Sequence, residues 1–175
     1  LNISGNTLLT DLYCNNSSFL PLNLSSNVLL ENLSIQNNYS LSSLDLTNNI
    51  LLKTLDCSNS DIYSLDLSSC PLLTEMYLQY NYSLSSLDLR NISVTNTSRM
   101  WAYGTSLSCI NVSDSILATQ LSLNQFNLSQ GSNTNLYAWQ IPSNSFYSLS
   151  CNDLSKTSVP DDNFENYLES VGWGD

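Results

Sequence analysis

The chain has 175 residues, of which 42% are hydrophobic and only 11% are charged, against about 25% in ordinary globular domains. Its net charge of −11, with four basic residues, argues against binding to nucleic acid or to anionic membranes. The absence of His and of any Cys-x-x-Cys pair argues against most zinc sites and most acid–base catalysis. No apolar stretch approaches the roughly 18 residues of a membrane span.

An internal repeat dominates the first half of the chain. One track is Leu-x-x-Leu-x-Cys or a close variant, starting at Leu9, Leu30, Leu52 and Leu73. A second track is Leu-Asn/Asp-Leu or a close variant, starting at Leu1, Leu22, Leu44, Leu65 and Leu87, with the same spacing of 21 or 22 residues. Each unit is predicted to form a short strand and an extended return segment, whose leucines share one core with the neighbouring units.

The units alternate in length and in one key residue. The string Asn38-Tyr-Ser-Leu-Ser-Ser-Leu-Asp-Leu46 recurs at 81–89, so the true period is a 43-residue pair of units. Asn38 and Asn81 are expected to hydrogen-bond backbone groups in the bend. Ser17 and Ser60 replace them in the shorter units and are expected to do so less completely.

These motifs resemble the leucine-rich repeat, L-x-x-L-x-L-x-x-N-x-L, which implies a β-rich solenoid of short parallel strands with extended or 3-10 return segments. Phrases such as Leu55-Asp-Cys-Ser-Asn59 and Leu65-Asp-Leu-Ser68 resemble the repeats of secreted surface proteins from Bacteroidetes, particularly flavobacteria. Residues 107–112 of this chain, together with Trp139 and Cys151, resemble the cap that closes an array in that family. Residues 159–169 resemble the short helical segment that opens one.

The predicted organisation has three parts. Residues 1–94 are the repeats, 95–155 an irregular last repeat and carboxy-terminal cap, and 156–175 a linker and short helix. Residues 95–106 break the period and are predicted to form a loop, with the next strand beginning at Leu107. Tyr137-x-Trp139-x-Ile141 suggests a short strand, and the apolar residues from Phe164 to Val171 suggest a helix.

An array that lacks an opening cap and ends on an opening segment suggests head-to-tail assembly. We hypothesise that the helix of one copy covers the first repeat of the next. The contact residues would be Leu1, Ile3, Phe164, Tyr167 and Leu168.

The outward side chains of the strands are the binding surface that the resemblance implies. They include Tyr13, Ser34, Asp56, Tyr77 and Ser108. Tyrosines among amides and carboxylates suit stacking on sugars or contact with a protein, and equally a structural surface. The residues predicted to bind the partner are Tyr13, Gln36, Asp56, Glu75, Tyr77 and Gln79.

The cysteines and the acidic row have structural explanations. Cys14 and Cys57 hold one inward position two repeats apart, about 9–10 Å, beyond disulfide reach. They are predicted to be buried hydrophobes, whereas Cys109 and Cys151 are the candidate disulfide of the cap. Asp45, Asp66 and Asp88 form a row that could share calcium, although a solvated acidic row is favoured.

Eleven Asn-x-Ser/Thr triplets are glycosylation candidates, against roughly six expected by chance from the composition. They begin at Asn2, Asn15, Asn16, Asn23, Asn32, Asn38, Asn81, Asn91, Asn96, Asn111 and Asn127. Ser115, in Asp114-Ser115-Ile116, resembles the O-glycosylation motif of Bacteroidetes.

The sequence therefore predicts a non-catalytic, extracellular or cell-surface adhesion protein without catalytic residues, metal or cofactor. Its expected partners are surface proteins or glycans, or copies of itself, with no nucleic acid and no membrane insertion. The alternative is a structural glycoprotein that self-assembles into a fibre or surface layer.

Overall fold

A computed structural model describes residues 1–17, 22–93 and 99–113, together with two short strands further along the chain. The strands are β1 (Asp11–Tyr13), β2 (Asn32–Ser34), β3 (Thr54–Asp56), β4 (Ser64–Asp66), β5 (Glu75–Tyr77), β6 (Ser86–Asp88), β7 (Arg99–Trp101), β8 (Cys109–Asn111), β9 (Trp139–Gln140) and β10 (Phe146–Ser148). In this part of the chain, no helix has the length and apolar character needed to cross a bilayer.

The strands form two parallel sheets on opposite sides of a coiled chain. The front sheet has the order β1-β2-β3-β5-β7-β9, and the return sheet has the order β4-β6-β8-β10. We number the coils one to six by their front strands. From coil three onward each coil also contributes a strand to the return sheet, so the predicted return segments are themselves hydrogen-bonded from coil to coil.

The core is a stack of aliphatic side chains kept in register by these ladders. Leu12, Leu33, Leu55, Met76 and Met100 are consecutive partners along the front sheet. All but Leu12 are almost completely buried. A coil buries its leucines only against the coils beside it. Each buried leucine therefore contributes roughly 2 kcal/mol to the free energy of folding, and this contribution depends on the neighbouring coils. The predicted fold class, a leucine-rich-repeat solenoid, is confirmed.

The alternation of asparagine and serine in the bend has a specific cause. Asn38 Nδ2 donates to the carbonyl oxygens of Cys14, in coil one, and Ile35, in coil two, at 3.0 and 2.6 Å. Asn81 Nδ2 donates in the same way to Cys57, in coil three, and Leu78, in coil four, at 2.9 Å each. One asparagine thus satisfies the carbonyls of two coils, so only every second coil requires one.

The serines in this position do not perform the same role. Ser60 Oγ is buried and has no hydrogen-bond partner among the described residues. Ser17 Oγ donates to Asn15 O within its own coil. The expectation that they replace the asparagine less completely is confirmed. The serine-bearing coils do not need their own asparagine, because Asn38 and Asn81 already satisfy the carbonyls of those coils.

A second row of side chains donates hydrogen bonds to backbone carbonyls at the opposite corner of the solenoid. In this row consecutive coils each contribute a donor, whereas in the bend only every second coil does. Asn27 Nδ2 donates to Ile3 O and Asn6 O at 3.1 and 2.9 Å. Asn49 Nδ2 donates to Leu24 O and Asn27 O at 3.4 and 2.9 Å. The turns after the return segments are therefore tied to the preceding coil by side chains as well as by the backbone.

The prediction that residues 95–106 form a loop was wrong. They contain β7, whose Arg99, Met100 and Trp101 pair with Glu75, Met76 and Tyr77. Met100 follows Met76 by 24 residues instead of 21 or 22, which hides it from a search at fixed spacing. Ser108 correspondingly precedes β8 in the return sheet and does not belong to the front face.

Some of the predicted tail lies outside the described residues. The strand predicted near Trp139 is present as β9, whereas β10 was not predicted. Of the proposed self-assembly residues, Leu1 is half exposed and Ile3 is partly buried against the core. Phe164, Tyr167, Leu168 and the helix containing them fall outside the described part, so head-to-tail assembly stays a prediction.

Candidate functional site: the front sheet face

The register of the front sheet places its outward side chains in columns. Tyr13, Ser34, Asp56, Tyr77 and Trp101 lie side by side at the third strand position. A parallel column contains the first residue of each strand, and another the residue two positions after the strand. The column of first residues contains Asp11, Asn32, Thr54, Glu75 and Arg99, and the column two positions after the strand contains Asn15, Gln36, Ser58, Gln79 and Tyr103.

The first three coils present a polar part of this face. Asp11 accepts hydrogen bonds from Thr10 Oγ1 and Asn32 Nδ2, and these bonds lower the pKa of its carboxyl. Asp56 accepts from the backbone nitrogen and hydroxyl of Ser58 at 3.1 and 2.7 Å. Tyr13, on the first strand of the front sheet, is 68% exposed.

Coils four and five carry an aromatic cluster, which we define as Tyr77, Tyr80, Tyr82, Trp101 and Tyr103. The ring centroids of Tyr77 and Trp101 lie 5.3 Å apart, and those of Tyr80 and Tyr103 lie 5.2 Å apart, both edge to face. Tyr80 is 6.3 Å from Tyr82, and Trp101 is 6.5 Å from Tyr103. The five rings form one continuous chain of contacts, and such pairs are favourable beyond simple area burial.

A charged network anchors one side of the aromatic cluster. Arg99 Nη1 donates to the hydroxyl of Tyr77 at 2.8 Å, and that hydroxyl donates to Glu75 Oε2 at 2.8 Å. The Arg99 guanidinium also lies 5.7 Å from the centre of the Trp101 ring, within cation–π range. Desolvation and the Glu75 carboxylate raise the pKa of Tyr77, while Arg99 opposes them. Two of the rings are therefore held in fixed orientations.

Tyr80 has a backbone conformation that is uncommon for its residue type. The equivalent turn position has positive φ in each of five coils: Asn16 (54°), Asn37 (59°), Asn59 (53°), Tyr80 (62°) and Gly104 (68°). Asparagine and glycine tolerate this left-handed region, whereas tyrosine is unfavourable there. The aromatic cluster therefore contains one ring that the local backbone alone does not favour.

The six predicted binding residues are only partly brought together. Tyr77 and Glu75 belong to the cluster and its network, and Gln79 lies on the same coil. Asp56, Gln36 and Tyr13 lie one, two and three strands away along the sheet.

Sequence reasoning missed the rest of the aromatic cluster. Trp101, Tyr103 and Arg99 lie in the segment predicted to be a loop, and Tyr80 and Tyr82 lie beyond the end of their strand. A search that allowed a 24-residue spacing would have aligned Trp101 with Tyr77.

The row of Asp45, Asp66 and Asp88 stabilises turns. Each carboxylate accepts a hydrogen bond from the backbone nitrogen two residues later, at 3.0, 2.9 and 3.0 Å. The hydrogen bonds from Thr47 lower the pKa of Asp45. Within the described ranges, no group of three or more His, Cys, Asp or Glu side chains is arranged to hold a metal ion.

The same turn explains part of the excess of glycosylation triplets. Asn2 and Asn23 stand where later coils have aspartate, and their Oδ1 atoms accept from the backbone nitrogens of Ser4 and Ser25. An Asn/Asp-x-Ser/Thr turn therefore generates triplets without any need for a sugar.

Two glycosylation candidates are ruled out in the folded chain. Asn38 and Asn81 are buried, and their amide nitrogens each donate to two carbonyls inside the bend. Their prediction as sugar acceptors was wrong. Asn15, Asn16, Asn32, Asn91 and Asn111 remain at least partly accessible, whereas Asn96, Asn127 and Ser115 lie outside the described residues.

The cysteines divide into free and bonded residues. Cys14, Cys57 and Cys70 are free thiols, and Cys109 is disulfide-bonded. Cys151, its predicted partner, lies outside the described residues. The Sγ of Cys70 lies 3.8 and 3.6 Å from the carbonyl oxygens of Leu46 and Asn49, so it continues the row begun by Asn27 and Asn49.

We expect iodoacetamide at pH 8 to label Cys14 in the native chain at least about tenfold faster than Cys57 or Cys70. Burial raises the pKa of all three thiols, to about 11 for Cys70, but only Cys14 is partly accessible. Peptide mass mapping over time would measure the rates. In urea the three should react alike, and native labelling of Cys57 at its unfolded rate would contradict the burial.

No protein-family model matches the chain, and no curated protein does. The chain is similar to the solved functional domain of InlJ from Listeria monocytogenes, which is described as including a cysteine ladder. The identity is 26% over 65% of this chain and 22% of that one, with a TM-score of 0.48. The chain thus spans about a fifth of that structure, and the fold assignment rests on the strand ladders described above.

Proposed function

We propose that this chain is a non-catalytic, extracellular interaction domain that contacts a surface protein or glycan through its front sheet. The observation that carries the proposal is the aromatic cluster on coils four and five. Exposed aromatic side chains dominate binding energy when they are held rigidly at a surface. Here Tyr77 and Trp101 are held by Glu75 and Arg99, and Tyr82 is 70% exposed.

The chemistry of the chain supports the extracellular part of the proposal. A disulfide at Cys109 is typical of an oxidising compartment. The surface is polar mainly through Asn and Ser, with only 11% charged residues in the sequence. The link to Bacteroidetes surface proteins stays a prediction based on the repeat phrases.

The arrangement of the front-face carboxylates supports recognition over catalysis. Asp56 accepts hydrogen bonds from Ser58, and Glu75 accepts one from Tyr77. Both are on an open sheet face, where water screens a carboxylate, and none of the described residues encloses them in a pocket that would prepare them for general acid or base chemistry.

Replacing Trp101 with alanine should weaken binding by at least about 2 kcal/mol, roughly thirtyfold in Kd. The substitution removes the ring that contacts Tyr77, Tyr103 and Arg99. The measurement is binding of the labelled chain to an array printed with both extracellular-matrix proteins and glycans, followed by titration of each hit.

The matched control is Tyr63→Ala, which removes an exposed ring next to β4, on the return side. It should bind like the unsubstituted chain. Circular dichroism melts would verify that all three proteins are folded. An array without any specific hit, or hits that Trp101→Ala leaves unchanged, would refute the front face as the binding surface.

A further inference from the structure

We propose that the aromatic cluster binds the sugar rings of an uncharged oligosaccharide, and that Tyr80 is a ligand-contacting residue of this site. The inference rests on the proposed function, because the front face must first be a binding surface. It goes further by naming the class of ligand and by assigning a role to a residue outside the strands.

The fold does not require tyrosine at position 80. Tyr80 N donates to Tyr103 O at 3.0 Å. The same backbone bond is made by the residues at this position in the three preceding coils, Asn16, Asn37 and Asn59, at 2.9, 2.9 and 3.0 Å. Asparagine therefore satisfies this turn while tolerating its positive φ. Because strained residues cluster at functional sites, a tyrosine here points to a use for its ring.

The position of Tyr80 joins the strand face to an exposed ring at the corner of the solenoid. Its ring contacts Tyr103 on one side and Tyr82 on the other. Without it, Tyr82 would be separated from the rings of β5 and β7. Tyr80 thus joins the three linked rings of Tyr77, Trp101 and Tyr103 to the ring of Tyr82, and the five rings form one platform for successive sugar units.

The chemistry around the platform favours a sugar over an apolar protein patch. Every described outward residue in the three front columns is aromatic, hydroxyl, amide, carboxylate or guanidinium, and none is aliphatic. The exposed aliphatic side chains of the described residues lie outside these columns, at Leu1, Leu8, Val28, Leu29, Ile50 and Leu72. A sugar offers C–H faces to the rings and hydroxyls to the amides and carboxylates, so it matches this combination.

The charges favour an uncharged ligand. Glu75 and Arg99 are joined through the hydroxyl of Tyr77, so their charges compensate each other within the network. The guanidinium also faces Trp101, and the chain as a whole carries −11. An anionic polysaccharide would meet a repulsive field, and Arg99, the cation that the described residues place at the cluster, is already engaged by Tyr77 and Trp101.

The test uses isothermal titration with four probes: cellohexaose, laminarihexaose, mannohexaose and a polygalacturonate hexamer. We expect at least one neutral hexasaccharide to bind and the uronate not to bind. The Tyr80→Asn substitution should weaken that binding at least tenfold. The unfolding midpoint of this variant should equal or exceed that of the unsubstituted chain, because the strained residue is removed. Asn59→Tyr, the same turn one coil earlier, should lower the midpoint and add no binding.

Several results would overturn the inference. These are no binding of any neutral probe, binding that Tyr80→Asn leaves unchanged, or a clear drop in the midpoint of Tyr80→Asn, which would make Tyr80 a structural brace. If the array yields a protein ligand that requires Trp101 and no sugar, the carbohydrate inference fails and the proposed function stands. If nothing binds through Trp101, both fail.

Discussion

Asn81→Ala is expected to lower the free energy of unfolding by about 3 kcal/mol, because it leaves the buried carbonyls of Cys57 and Leu78 without a donor. The amide oxygen also accepts from the backbone nitrogen of Ile62 at 3.3 Å, and alanine removes that bond too. Asn81 is fully buried, so water cannot replace these partners without opening the bend. Urea denaturation followed by circular dichroism measures the loss.

The control for this substitution is Asn48→Ala. Asn48 is exposed, and its amide donates one bond at 3.3 Å to Ser25 O. Removing it should change the free energy of unfolding by less than about 0.5 kcal/mol. Equal effects of the two substitutions would show that the carbonyls of coils three and four are satisfied in some other way.

Leu55→Ala is expected to destabilise the chain by about 3 kcal/mol, within the range for leucines deleted from closely packed cores. Leu55 is fully buried and is flanked in the ladder by Leu33 and Met76. The backbone ladders on either side hold the coils at a fixed spacing, so the neighbouring side chains cannot collapse fully into the space. The measurement is again the free energy of unfolding in urea, with the slope compared between variants.

Leu8→Ala provides the contrast, since Leu8 is 81% exposed and contributes little to the core. Its effect should be below about 0.5 kcal/mol. A Leu55→Ala variant that loses less than about 1 kcal/mol would mean that the third coil can close around the cavity, contrary to a rigid stack.

The sequence predicted the repeat architecture well for a physical reason. A solenoid repeats one environment, so each inward leucine appears at the same place in every unit and the two tracks reinforce each other. The pairing of units was also visible in the repeated string from Asn38 to Leu46. Its cause was not, because the sequence does not show that one amide reaches the carbonyls of two coils.

The candidate site was harder to predict because it lies where the repeat is least regular. β7 is displaced by the longer spacing between Met76 and Met100, so Trp101 could not be aligned with Tyr77. Tyr80 and Tyr82 are beyond the strand, where the sequence pattern gives no direction for a side chain. The site thus combines residues from one regular coil and one irregular coil, which come together only in the folded chain.

The bridging asparagines also constrain how such a chain can change its length over evolutionary time. Duplicating or deleting 43 residues would carry one asparagine with each pair of coils and leave every carbonyl in the bend satisfied. A change of a single coil would leave a carbonyl without its donor or place two amides at one acceptor. Related arrays are therefore expected to differ by even numbers of coils, with the serine and asparagine positions keeping their alternation.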